Sequence, residues 1–569
     1  MRPKERPVYF LGAMLALGLL IPDHFLPWPS FRHDVLVGIG FSPLIICTAW
    51  GKVSIPKVAF FPIFLSMVPL FQIAVGQVEF SGDGWISWLY ILSAALSMIS
   101  ATNLVGRSTL KNPLQELQPI VIALVGAAIL SVGVSLAQWL KLDLFPEFVS
   151  ATSNDLRFGA NLAQPNQFAT LLLIGLAGNI FLFENKALSK FPGILLAVFL
   201  LFGLVLTQSR MIFLAFLFAS ALYFGLQRQA CIRVSRKAIL LFAGFFFLAS
   251  IAWPLINDVL LLRVPVSMLE RTTTDVRLNL WIGMIEAISR SPWFGYGWGQ
   301  VSVAQQAVAL EYPPSYAVFE SAHNIFLDIA ICAGLPMALA FSLWLFLWFK
   351  RQITNCRDPL SFSILLAVGV IFCHAMVEYP LAYAYILLPT CFFMGALSRR
   401  EIFAANGKAV GIFVPTIFAG ASVVALAGFI IVTCEYIRFE DDWRRLRFSL
   451  AKIGTPQEFD HFRPKFLTQL REYAEFAKTK PERNMAERKL LWMKKISERF
   501  GQPSVLTKYA VAAALNGKPE AAAQSIKLVC KTQLPRICNQ VVNDWEAVSL
   551  DPNYPELSAV DVATFAAKR

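Results

Sequence analysis

Apolar stretches recur along this chain from near its N-terminus to about residue 436. A helix needs about 20 apolar residues to cross ~30 Å of hydrocarbon, and most of these stretches approach that length. Lipid offers no partner to a backbone N–H or C=O, so only helices or a closed barrel can cross it. The runs are too long and too uniformly apolar for barrel strands. The chain therefore reads as an all-α polytopic membrane protein with about thirteen transmembrane helices. The expected spans are 9–22, 35–50, 58–76, 85–105, 118–140, 166–184, 191–206, 211–226, 238–256, 325–349, 360–377, 381–398 and 411–435. Composition agrees: 56% of the residues are apolar, against about 45–50% in soluble domains.

The distribution of Lys and Arg sets the expected orientation. Arg2, Lys4 and Arg6 precede the first span. Lys52 and Lys57, Arg107 and Lys111, Lys186 and Lys190, Arg228 to Lys237, Lys350 to Arg357, and Arg399 to Lys408 fall in alternate loops. The intervening loops carry fewer cations. The N-terminus is thus expected in the cytoplasm, behind a first segment that reads as a retained anchor. An odd number of spans puts the C-terminal region outside. The net charge of +13 is accounted for in part by cytoplasmic loops meeting anionic lipid and calls for no nucleic-acid partner.

Two domains are expected: a transmembrane domain over 1–436 and a soluble helical domain over 437–569. The first has two long outer loops, at about 141–165 and 257–324. Loops longer than ~15 residues are commonly functional. In the second loop, Leu278, Ile282, Ile285 and Ile288 recur at roughly helical spacing, which predicts a helix at the membrane surface. Ser291-Pro292 and Gly295, Gly297 and Gly299 then predict a tight turn. In the tail, KYAVAAALNGKPEAAAQSIKLVCK reads as a helix pair broken at Gly517 and Pro519, like one tetratricopeptide hairpin. Ala510, Ala514, Ala522 and Ala523 would let its helices approach closely. Cys530 and Cys538 flank KTQLPRI, where an oxidising compartment would allow a small disulfide loop. The cysteines in the spans read as apolar fillers.

Residues able to carry chemistry cluster toward the outer face. His323 sits where the long loop meets the tenth span. An imidazole there can serve as general base, since its ordinary pKa lies near neutrality; the plainer role is to cap the helix entry. Arg157, Arg210 and Arg277 lie at or near the same face, against the usual bias. A guanidinium fork contacts phosphate oxygens bidentately and stays charged, which suits pyrophosphate. Gln164, Pro165 and Asn166 open the sixth span, where the amides can bind sugar hydroxyls or cap the helix. Glu378 and Tyr379 lie in a short outer turn and are suited to orienting a base or acceptor. His374, deep in the eleventh span, is either functional or a hydrogen-bonded structural group. No DxD, tandem Trp-Trp, phosphate loop, HExxH, GxSxG or CxxC is present, so no metal or other cofactor is expected.

Four segments together resemble a known family. NLAQPNQFATLLLIGLAG resembles the N-terminal signature of bacterial protein O-oligosaccharyltransferases of the PglL type. TQSRMIFLAF and SAHNIFLDIAICAGLP resemble the core of the wider O-antigen ligase and polymerase (WaaL and Wzy) superfamily, and VEYPLAYAYILLPTCFFMGAL the segment that follows in PglL-type enzymes. The tail around YAVAAALNGKPEAAAQSIKLVC resembles their C-terminal region less specifically. One departure is that the acidic residue of the family's HNxxLxxxxExG pattern is missing from ICAGLP.

The resemblance implies a GT-C-like fold in the bacterial inner membrane. The implied reaction is en bloc transfer of an oligosaccharide from undecaprenyl pyrophosphate to Ser or Thr hydroxyls of periplasmic proteins such as pilin. In that scheme Arg210 and Arg277, with Arg157, hold the pyrophosphate, and His323 takes or orients the acceptor proton. Gln164, Asn166, Tyr379 and Glu378 position glycan or acceptor, and membrane lipids surround the spans. The close rival is a ligase or polymerase acting on a lipid A core or another glycan. A transporter would instead show polar residues deep along a path.

Overall fold

In the computed structural model, the described residues are 6–142, 146–150, 157–261, 276–402, 415–453, 462–562 and 565. Arg2, Lys4, Lys408 and His461 lie outside the described residues. The helices are α1 (Arg6–Leu20), α2 (Phe31–Ala49), α3 (Lys57–Ala74), α4 (Ser81–Gly106), α5 (Gln118–Leu140), α6 (Pro165–Glu184), α7 (Lys190–Thr207) and α8 (Met211–Leu226). There follow α9 (Arg236–Leu261), α10 (Val276–Arg290), α11 (Val301–Ala309), α12 (Ile325–Ala333), α13 (Leu335–Asn355), α14 (Pro359–Ala375), α15 (Ala384–Leu397) and α16 (Pro415–Leu450). The tail adds α17 (Thr468–Lys478), α18 (Glu487–Phe500), α19 (Pro503–Leu515), α20 (Pro519–Thr532), α21 (Pro535–Ser549) and α22 (Pro555–Ser558). No β-strand occurs among the described residues.

Eight of the described helices are long and apolar enough to cross a membrane, and α1, α8 and α14 are shorter apolar helices. The apolar run 325–349 is not one helix. It breaks into α12 and α13 at Gly334, whose φ of +86° lies in the region that favours glycine. α16 runs unbroken from Pro415 to Leu450, well past the apolar stretch that ends near 435.

The chain packs as two compact units. The first comprises Met1–Leu65, Leu89–Thr274 and Leu343–Ile430. At its centre α6 packs against α5, α7 and α14, with most of its residues buried. Small residues allow these approaches, as is usual between helices in lipid. Gly178 faces Val125, and Gly395 of α15 lies against the Met98 carbonyl of α4. Across that last contact Thr102 Oγ1 donates to the Gly395 carbonyl at 2.7 Å.

The second unit comprises Ser66–Trp88, Asp275–Ser342 and Ile431–Arg569. Its tail packs α18 to α22 in sequence. The expected hairpin is α19 and α20, with Ala510, Ala514 and Ala522 buried in it. Cys530 and Cys538 form a disulfide. Arg499 of α18 binds Asp83 through two part-buried hydrogen bonds of 2.8 and 2.9 Å. Burial alone would pull the guanidinium's pKa down; the Asp83 carboxylate outweighs this and holds it above its ordinary value.

In the same unit the turn at 292–296 is bonded to the α12–α13 break. The Leu335 N–H donates to Pro292 O at 2.7 Å and the Tyr296 N–H to Ile331 O at 2.6 Å. A Cβ on Gly334 would lie 2.2 Å from the Trp293 carbonyl oxygen. Gly334→Ala should therefore cost roughly 1–3 kcal/mol and lower the thermal midpoint of the purified protein. Gly133→Ala, in α5 with nothing within 4 Å of the added methyl, should leave it unchanged or slightly raised. Equal midpoints for the two variants would contradict the close approach at the break.

Candidate active site

In the first unit, QPN starts a helix. Pro165 occupies the first turn of α6, where its missing N–H is no loss. Gln164 is the N-cap, and its Oε1 accepts from the Asn166 and Gln167 N–H groups. The side chain of Gln164 thus does the capping that the sequence allowed as one of two roles.

Asn166 is the hub of a buried network. Its Nδ2 donates to Glu378 Oε1 at 2.7 Å. Its Oδ1 accepts from Ser209 Oγ at 2.6 Å and from Arg157 Nη2 at 3.1 Å. Arg157 Nε also donates to the Thr207 carbonyl at 3.3 Å. Ser209 lies in the short α7–α8 connection and is followed by Arg210, the residue before α8. One turn into α6, Thr170 Oγ1 is 2.6 Å from His374 Nδ1 of α14. The α6 N-terminus, the α7–α8 turn and the end of α14 thus gather Arg157, Gln164, Asn166 and Glu378 of the expected site, and Arg210 follows Ser209 in that turn. Tyr379 follows Glu378 directly.

Tyr379 also begins a chain of rings. Centroids are 5.8 Å apart for Tyr379 and Tyr383, 5.2 Å for Tyr383 and Tyr385, 5.5 Å for Tyr385 and His33, and 4.7 Å for His33 and His24. Buried Asp34 holds this row in place. It accepts from Ser30 Oγ (2.7 Å), Tyr90 Oη (2.8 Å) and the Ala384 N–H (2.7 Å). Sequence reasoning passed over Asp34 and Tyr90. The signal was present: a carboxylate at the mouth of an apolar helix is costly unless it is used.

In the second unit, the SAHN segment is organised by Asp328 of α12. Its Oδ1 accepts from the Ala322 N–H at 2.6 Å and its Oδ2 from Ser321 Oγ at 2.7 Å. Ser321 Oγ in turn accepts from the His323 N–H at 2.9 Å. Asn324 caps α12 through the Phe326 and Leu327 N–H groups. His323 therefore precedes the cap and does not itself serve as it. Its φ is +55°, a left-handed conformation uncommon outside glycine and held here by the surrounding bonds. Its ring meets Phe319 edge-on, with centroids 5.3 Å apart. Trp281 Nε1 of α10 donates to Ala322 O at 2.9 Å. Arg277 stands one turn before Trp281, on the same side of α10. This unit thus brings the α10 face that carries Arg277 to the His323 segment.

The approach to His323 along 312–319 is held from two sides. Gln305 Nε2 donates to Ser315 Oγ and Ala317 O, both at 2.8 Å, and its Oε1 accepts from the Phe319 N–H at 3.0 Å. From the tail, Lys531 Nζ donates to Tyr312 O at 2.8 Å, and Lys531 O accepts from the Ser315 N–H at 2.9 Å. Among the described residues no three His, Cys, Asp or Glu side chains are grouped as metal ligands would be.

Comparison with known proteins places these segments in order. Residues 159–183 match the protein glycosylation ligase family, 195–342 the O-antigen ligase family, and 363–530 the C-terminal part of the virulence factor membrane-bound polymerases. A general O-oligosaccharyltransferase of Acinetobacter baylyi is 28% identical over 398 residues, covering 68% of this chain and 69% of that protein. A ComP-specific O-oligosaccharyltransferase of the same organism is 27% identical over 399 residues, covering 69% of this chain and 71% of that protein.

The Asn166 network makes a stability prediction. Asn166→Ala removes the side-chain partner that Ser209, Arg157 and Glu378 share and should cost roughly 1–3 kcal/mol. Glu378→Gln retains an acceptor for the Asn166 amide and should cost less. Thermal denaturation of the two purified variants checks this order, and the reverse order would contradict the network.

Proposed function

Because the chain belongs to the O-antigen ligase superfamily, in its PglL-type protein-glycosylating branch, we propose that it glycosylates proteins. It transfers an oligosaccharide en bloc from undecaprenyl pyrophosphate to Ser or Thr hydroxyls of periplasmic proteins, pilin among them. The observation that carries this reading is the hub at Asn166. It lies within the stretch matching protein glycosylation ligases and ties Arg157 and the Arg210 turn to Glu378.

In this scheme the acceptor hydroxyl oxygen attacks the anomeric carbon of the first sugar. The bond from that carbon to the pyrophosphate oxygen breaks, and its electron pair leaves with undecaprenyl pyrophosphate. His323 takes the hydroxyl proton or orients the hydroxyl. Arg210 and Arg277, with Arg157, bind the pyrophosphate and stabilise its charge on departure. Glu378 and Tyr379, with the amides of Gln164 and Asn166, shape the ground on which glycan or acceptor rests. The phosphoanhydride leaving group already carries high transfer potential, so the chemistry needs neither ATP nor a metal. Direct attack inverts the anomeric centre. The site faces the periplasm from the inner membrane, with the N-terminus in the cytoplasm and the tail in the periplasm.

A second reading is supported by the matches to O-antigen ligases and to membrane-bound polymerases: the glycan goes to a lipid A core or to another glycan. The deciding assay offers purified enzyme a lipid-linked oligosaccharide with pilin and lipid A core side by side, without added metal or ATP. Glycan on pilin is expected. Glycan on the lipid core alone would establish the second reading, and transfer to neither would overturn both.

Two variants test the proton-transfer site. His323→Ala should lower kcat by roughly 10²–10⁴-fold, the usual contribution of a general base; unchanged turnover would remove His323 from the mechanism. Asp328→Ala frees Ser321 and the Ala322 N–H and lets His323 drift. It should lower kcat by up to about 10²-fold while leaving the donor KM nearly unchanged. A change in KM alone would mean that Asp328 serves binding instead.

A further inference from the structure

α10 turns one face to its own unit and another away from it. Leu280, Met284 and Ile288 are buried. On the outward face Leu278, Ile282 and Ile285 are 62%, 53% and 59% exposed, and beyond the helix Trp293 and Phe294 are 71% and 67% exposed. Leaving a run of large apolar side chains this open to water is unfavourable. The stripe has polar borders, with Arg277 on one flank and Asn279, Glu286 and Arg290 on the other. That pattern marks a helix lying in a membrane interface.

The turn after α10 gives the depth. Gln77, three residues past the end of the membrane-length helix α3, donates through Nε2 to Phe294 O at 3.0 Å and to Gly295 O at 2.9 Å. Leu335, the first residue of α13, is bonded to Pro292 O. Phe71 and Val75 near the end of α3, and Leu339 of α13, are likewise exposed. Trp293 and Phe294 are therefore tied, through Gln77, to the end of α3, where Phe71 and Val75 are exposed as well. They stand at the level where a membrane helix ends, which aromatic side chains favour.

We infer that α10 and the Trp293–Phe294 turn are seated in the lipid of the leaflet at which α3 ends, and that this seat fixes the depth of the His323 segment. The link is short: the outward stripe holds α10, and Trp281 of α10 holds Ala322, the neighbour of His323. Arg277 rides on the same helix. The seating stands on exposure and the Gln77 tie alone, whereas its catalytic consequence rests on the glycan-transfer reading.

Spin labels placed one at a time at positions 279, 282, 285 and 294 of the full-length protein in phospholipid vesicles test the seat. Collisions with oxygen should dominate at 282, 285 and 294, at a depth near that of a label at 75. A water-soluble nickel chelate should dominate at 279. Nickel dominance at 282 and 285 would overturn the inference. So would shielding from both reagents, which would mean that a second copy or another protein covers the stripe. Ile282→Lys then tests the consequence. With long-chain donor in vesicles its apparent KM should rise several-fold at unchanged kcat, and with a short-chain donor in detergent it should match the parent protein. Equal KM values in vesicles would overturn the depth-setting role. Absence of transfer by the parent protein in either format would count against the glycan-transfer reading and leave the label result to decide the seat.

Discussion

Lipid provides no hydrogen-bond partner for the backbone, and this constraint orders the molecule. Inside the spans helices meet it by themselves. Where the chain stops being helical, amide side chains take over. Asn161 bonds Leu20 O, Phe148 O and the Ser150 N–H. Gln138 bonds Ser150 O and Ala160 O. Gln72 bonds Cys332 O and the Trp298 N–H, and Gln300 bonds Gln77 O and the Glu79 N–H. Among the described residues these amides cross-tie irregular backbone at the ends of helices. Rigid irregular backbone is what a transfer reaction needs, because it aims side chains that a regular helix would point at its neighbours.

The two candidate regions use the same device with different residues. In the first unit a neutral amide, Asn166, mediates between a cation and a carboxylate. In the second a carboxylate, Asp328, mediates between a hydroxyl and a backbone N–H. Each is a small polar group that accepts or donates on more than one side, so its position is over-determined. Arg157 and His323, the residues offered for chemistry, are held by bonds to such groups, which reduces the reorganisation that reaction would demand. The tail is fastened by a harsher version, the Asp83–Arg499 pair. Removing one partner of such a buried pair typically costs 3–5 kcal/mol.

Much of the helical framework was legible because an apolar run carries its own length scale. Each of the thirteen expected stretches contains helix, and the helix expected in the second long loop is α10. The break at Gly334 was not legible as a break, because ICAGLPMALA stays apolar through it and periodicity alone registers no change. Gly334 and Pro336 were the available hint. QPN was readable as a helix start from Pro165 alone. Its partnership with Glu378 was not, since the two lie 212 positions apart and nothing local couples them. Asp328 and Asp34 were hidden for another reason. Each is a single charge in or beside an apolar run, and no local pattern shows which distant hydroxyl or N–H groups it binds.

The residues that flank the Cys530–Cys538 bridge have a consequence for the order of events in making the protein. Lys531, beside that bridge, is held on both its backbone and its side chain by the 312–315 segment that leads to His323. Ribosomes deliver residue 531 more than two hundred residues after His323 has emerged. During that interval Tyr312 and Ser315 lack two of their partners, and the segment leading to the histidine rests on Gln305, on the Tyr312–Glu286 bond and on the Ser315–Ala317 bond. The part of the chain made last completes the setting of a residue made much earlier. A chain that ends before residue 531 therefore carries the histidine itself, with the approach to that histidine still unfinished.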